Sequence, residues 1–86
     1  MEIKKSNRKN KKYMIKVNNK WIHFGYLPME HYKDSTPIKL YSNKDHNDSE
    51  RRRRFMLRFT GVPYKKDALK RVPKYTPIYF SIKYLW

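Results

Sequence analysis

Five arginines crowd one short stretch of this chain: Arg51, Arg52, Arg53, Arg54 and Arg58. At about 100° per residue of helix, Arg51, Arg54 and Arg58 fall within about 60° of arc and make one stripe. A guanidinium presents a fork of donors that matches phosphate and carboxylate oxygens. The stripe therefore reads as an anion-binding ridge. The plainer reading is a solvated face that confers solubility, but Lys or Glu would serve that purpose without the self-repulsion of clustered arginines. Lys65, Lys66, Lys70 and Arg71 are expected to extend the same surface. A second basic group, Lys4, Lys5, Arg8, Lys9, Lys11 and Lys12, precedes any apolar pattern.

The run Asp45-His46-Asn47-Asp48 invites a metal or nuclease reading, since His and Asp ligate Zn²⁺ or Mg²⁺. A His-Asn-His nuclease needs a further His beyond the following helix, and none follows His46. A structural metal shared by His46, Asp45, Asp48 and His23 or His31 is the weaker alternative. The plainer account is that these acids cap the next helix and pair with its arginines. His23 and His31 read as hydrogen-bonded structural residues. There is no Gly-rich phosphate loop and no Ser/His/Asp grouping of convincing spacing. No catalytic residue, metal, cofactor or small-molecule substrate is assigned, and the reading is non-enzymatic.

The elements that position these groups follow from local pattern. Residues 1–12 carry one apolar residue, Ile3, beyond the initiator, and read as a flexible basic arm. Residues 13–24 read as a β-hairpin: Tyr13, Ile15 and Val17 alternate with polar neighbours, and Asn18-Asn19-Lys20 supplies the turn. Residues 28–33 suggest a single helical turn, and residues 38–45 are irregular. Residues 47–60 are the best helix, with Asn47 as N-cap, Glu50 in a capping box and Gly61 as terminator. Its apolar face, Phe55, Met56 and Phe59, is expected to meet the core. Residues 65–72 make a shorter helix. In residues 77–86, alternation of Ile78, Phe80, Ile82, Tyr84 and Trp86 fits a strand, whereas the Thr76-Pro77 start and i, i+4 pairs fit a helix. Helix is the preferred reading, docked on the hairpin either way.

Composition bounds the rest. The chain has 86 residues, with 22 Lys plus Arg against 7 Asp plus Glu, a formal charge of +15. So one-signed a field attracts polyanions. Eight Tyr, four Phe and two Trp argue for a folded core, which a disordered basic chain would lack. Most of the aromatics are expected in that core. With no Cys there is no disulfide, thiolate zinc site or thiol nucleophile. No run approaches the roughly 18 apolar residues of a membrane span, and none follows the N-terminal charges as a signal peptide requires. The chain is expected to remain in the compartment where it is made.

Together these readings give a small single α+β domain over residues 13–86, with an N-terminal β-hairpin packed against an Arg-rich helix and a C-terminal aromatic segment. Its partner is expected to be nucleic acid, bound without sequence specificity, or an acidic protein surface.

The ordered set His23-Phe24-Gly25, His31-Tyr32-Lys33-Asp34, Asp45-His46-Asn47-Asp48 with Arg51-Arg52, and terminal Leu85-Trp86 resembles a family of small basic proteins of unknown function. That family is encoded by nucleocytoplasmic large DNA viruses and some tailed phages. The likeness spans about residues 13–86. It departs at Arg58-Phe59, where the family has Arg-His. The resemblance implies a viral, virion-associated protein, intracellular in the infected host before assembly. The acidic surface would then belong to capsid subunits, with this chain as a minor capsid or cement protein.

Overall fold

Two asparagines close the central hairpin. Asn18 and Asn19 both take positive φ, 49° and 65°, as a two-residue turn matched to strand twist requires. The turn joins β2 (Lys11–Val17) to β3 (Lys20–Tyr26) and sets Tyr13 opposite Phe24 and Ile15 opposite Ile22. β1 (Ile3–Lys5) adds to the other edge of β2, so the antiparallel sheet runs β1-β2-β3. The computed structural model describes residues 2–86.

Strand β1 corrects the reading of residues 1–12 as a flexible arm. Ile3 pairs with Ile15 and packs on the core, and the main chain of β1 bonds to that of β2. The return loop is closed by Ser6 N–H to the Lys12 carbonyl (3.1 Å), and Ser6 Oγ meets His23 Nδ1 at 2.7 Å. Apart from Ile3 and Lys12 the side chains of the arm bury little, but its backbone bonds offset the entropy of ordering it.

Residues 27–48 then cross the molecule without regular structure except a 3₁₀ turn at Ser42–Lys44. The helical turn expected at 28–33 does not form. Backbone donors there bond outward: Lys33 N–H to the Leu85 carbonyl, Ser35 N–H to that of Tyr84, and His31 N–H to that of Lys44. Those bonds hold the segment extended.

Helix α1 spans Ser49–Thr60. Its N-cap is Asp48, one residue later than expected, and its carboxylate accepts from the N–H groups of Glu50 and Arg51. Asn47 sits outside the helix at φ 52°. Glu50 does not reach back to close a capping box but pairs with Arg53 and Arg54. Gly61 ends the helix at φ 81°, as expected. Helix α2 covers Lys65–Arg71, and α3 covers Pro77–Leu85 with Thr76 as N-cap.

The core gathers Tyr13, Ile15 and Phe24 from the sheet, Met56 from α1, Ala68 from α2, then Phe80, Ile82 and Leu85 from α3, and Trp86. Phe24 lies 5.8 Å from Phe80 and 5.9 Å from Tyr84, ring to ring. Helix α3 packs against both β3 and α2. Covered on more than one side, it carries apolar residues all round, which is why its sequence also fits a strand. Gly25 marks the closest approach: at φ 81°, a Cβ there would stand 2.9 Å from Leu85 Cδ1. Not all the aromatics are inside, since Tyr26, Phe59, Tyr64 and Tyr75 stay exposed.

Candidate polyanion-binding groove

Helix α1 carries Arg51, Arg54 and Arg58 to the rim of an open groove of about 590 Å³. Phe55 and Trp86 floor it, and Met29 from the long loop forms the far wall. Arg54 and Arg58 are exposed. Arg51 is half-buried and donates to Glu30 at 3.0 Å, and this bond holds the Glu30 carboxyl below its ordinary range. Arg54 touches Glu50 at 3.4 Å. The Arg58 guanidinium lies 4.8 Å from the Phe59 ring centre. A smaller cavity of about 220 Å³, which Lys11 also lines, adjoins the groove and shares its floor. The helical spacing thus brought the three arginines together as expected.

Phe59 corrects the expectation that it meets the core, for it is 49% exposed. It lies in the last turn of α1, beyond the fully buried Met56, and leans on Phe55 at 4.7 Å. Arg52, unassigned from sequence, has a structural part. Its Nε donates to the Trp86 carbonyl at 2.7 Å, and its guanidinium sits 4.5 Å from the Tyr32 ring centre. Met29 and Trp86 also escaped the sequence reading as groove residues. No local signal marked them, because Met29 lies far from α1 along the chain and Trp86 reads as a core residue.

The other basic residues divide. Lys4, Lys5, Arg8 and Lys9 are exposed along β1 and the loop after it. Lys4 and Lys16 flank the Trp21 ring at 5.3 and 5.9 Å. Lys65 does not extend the arginine stripe. It borders a separate depression with Arg52 and Arg53 on the opposite flank of α1, and donates to the Lys83 carbonyl at 2.9 Å. Burial lowers its pKa, aided by the charges of Arg52 and Lys83. Lys66, Lys70 and Arg71 are exposed on α2.

Lys12 corrects its assignment to the binding surface, because it is only 2% exposed. Its Nζ donates to the Met29 carbonyl (2.7 Å) and to His31 Nδ1 (2.8 Å). His31 Nε2 in turn donates to Asp45 Oδ1 at 2.6 Å, which also accepts from Asp34 N–H at 2.8 Å. Beside this chain, Asp34 accepts from the Tyr13 hydroxyl, from Thr36 N–H and Oγ1, and from Tyr41 N–H. Burial raises the Asp34 pKa, but these donors outweigh it and hold the carboxyl below its ordinary value. Asp45 therefore serves His31, and not the cap of α1 as expected. His46 Nδ1 accepts from Asp48 N–H (2.9 Å), while its buried Nε2 has no hydrogen-bond partner among the described residues. No three His, Asp or Glu converge to hold a metal among those residues. The network is buried and internally bonded, so what it does is fasten the long loop to β2.

Burial, then the charge of Lys44, pushes Lys12 down from 10.5 to about 8. Between those values the unfolded chain holds a proton that the folded chain does not, so stability rises with pH through that window. Below about 8 both states are charged and the full cost of burial stands. Tyr13 acts oppositely. Burial and Asp34 raise it from 10.0 to about 12, so stability falls as pH climbs between those values. The thermal midpoint is expected to peak near pH 10. Melting curves of Lys12→Met across alkaline pH should lose most of the rising limb, the part from Lys65 remaining, and keep the falling one.

Fold and site together define a small α+β domain with a cationic groove. Compared with family models, curated proteins and solved structures, the chain finds no match among any of the three.

Proposed function

We propose that this is a non-enzymatic basic structural protein that docks on polyanion, with sequence-independent nucleic-acid binding as its activity. The observation that carries the reading is the set of three arginines on one rim of an open groove, in a chain of net charge +15. Lys11 and the exposed Lys4, Lys5, Arg8 and Lys9 add to that field. Nothing in the chain matches a base-reading motif, so phosphate contacts dominate and sequence matters little. The proposed setting, a virion, rests on the resemblance of the ordered motifs.

A second reading, a minor capsid or cement protein on acidic capsid surfaces, draws on the exposed apolar residues Tyr26, Met29 and Phe59 beside the arginines.

Duplex DNA of unrelated sequences is expected to bind with similar affinity. That affinity should fall by roughly 10³ or more between 50 and 200 mM salt if six or more phosphates are contacted. Replacing Arg51, Arg54 and Arg58 together by Gln keeps helix propensity and removes charge. The variant should bind more weakly and with a shallower salt slope. Its thermal midpoint should hardly move, since exposed ion pairs in high dielectric add little. A flat salt response, or no retention on DNA at low salt, rules the nucleic-acid reading out.

A further inference from the structure

We infer that the groove beside α1 takes the unpaired bases of a single-stranded polynucleotide, whose phosphates lie on Arg54 and Arg58. The inference rests on the polyanion reading and narrows it to one form of nucleic acid.

A run of aromatic rings in contact, flat-stacked at its centre, carries it. His46 lies 5.2 Å from Trp86, tilted by 54°. Trp86 lies 4.1 Å from Phe55 with the rings 5° from parallel. Phe55 lies 4.7 Å from Phe59, tilted by 47°. The run begins inside the domain and ends at the surface, where Phe59 is 49% exposed. Over that ring lies the planar guanidinium of Arg58. A helix face serving solubility alone gains nothing from an exposed Phe beside an arginine. A base laid on the ring takes the place of the guanidinium, which swings to its phosphate, and any base can do so because every base has a π-face.

Shape and charge agree with this occupant. Phe59 lines the smaller cavity of about 220 Å³, which adjoins the groove of about 590 Å³ across their shared floor of Phe55 and Trp86, so a base on Phe59 has the larger groove open beside it. Met29, 41% exposed, offers a polarizable wall to an aromatic guest. Arg51 pairs with Glu30, and Arg53 and Arg54 share Glu50, while Arg58 has no acidic partner among the described residues, so Arg58 and the half-paired Arg54 are the groups that meet phosphate. A duplex fits less well, because its base faces are already stacked inside and only its backbone could reach the arginines. An acidic peptide satisfies the charge but leaves the run of rings without a matching surface.

The test compares three labelled oligomers by fluorescence anisotropy at one low salt concentration. They are a mixed-sequence single strand, an abasic strand of the same length and phosphate number, and the duplex. The single strand is expected to bind about tenfold tighter than the abasic strand. Phe59→Ala should erase that difference without changing abasic binding, and Phe59→Tyr, which keeps the ring, should restore it. Since Phe59 is exposed, both variants should melt as the parent does. In a Trp21→Phe background, the single strand should quench Trp86 fluorescence and the abasic strand should not.

Equal binding of all three oligomers, unmoved by Phe59→Ala, overturns the inference and leaves the polyanion reading standing. No binding of any oligomer overturns both. An acidic, Phe-containing peptide that binds tighter than the strand of equal charge, and loses that advantage in Phe59→Ala, overturns the inference in favour of a protein partner.

Discussion

Replacing Trp86 by Ala is expected to unfold the domain. The indole is 7% exposed, stacked on Phe55 and set against His46, with Leu85 beside it buried under the sheet. Removing so large a buried side chain costs about 3–5 kcal/mol in transfer and cavity terms. The whole stability of a domain this small is on the order of 5 kcal/mol. Trp86 also closes the groove floor, so little other packing stands ready to fill the gap. Amide NMR spectra of Trp86→Ala, and of a chain lacking residues 85 and 86, should lose their dispersion. A shortened chain that keeps a dispersed spectrum and a cooperative melt would show that α3 does not depend on its end.

Asp34→Ala should be comparably damaging through a different cause. One carboxylate satisfies four donors: the Tyr13 hydroxyl, Thr36 N–H, Thr36 Oγ1 and Tyr41 N–H. An unsatisfied buried donor costs about 1–3 kcal/mol, and here several are orphaned together. Tyr13→Phe is the milder companion. It removes one donor to Asp34 and the acceptor for Leu40 N–H, so the midpoint should fall with cooperativity retained. Because the folded pKa of Asp34 is depressed, the stability it contributes is present above the ordinary carboxylate range. That stability should drain away as pH falls below it. An Asp34→Ala protein that melts near the parent temperature would mean the loop is held by its backbone bonds alone.

The readable parts of this fold are those whose cause is local. The Asn18-Asn19 turn, the Gly61 stop and the Thr76-Pro77 start are each decided within a few residues, so the hairpin and the three helices follow from sequence. The arginine stripe was legible for the same reason, since a helical wheel needs only spacing. Illegible features depend on distant partners. Strand β1 exists because β2 offers it an edge. Lys12 alternates with Tyr13 and therefore reads as outward, yet both are buried, because β2 is covered on both faces there. Its acceptors, Met29 and His31, are far along the chain. Met29 in the far wall of the groove and Trp86 in its floor likewise come from remote sequence, so the stripe was foreseen but not the cleft beside it.

The passage over residues 27–48 has a consequence for how stability varies with temperature. The side chains it buries fully, His31, Asp34 and Thr36, are all polar, while Ile38 and Leu40 face solvent. Exposing apolar surface raises the heat capacity of unfolding, and exposing polar surface lowers it. Releasing this quarter of the chain therefore subtracts from the heat-capacity increment that the core residues supply. The stability curve should be broad and shallow, and the domain should resist cold better than one of equal length whose loops are held by apolar contacts.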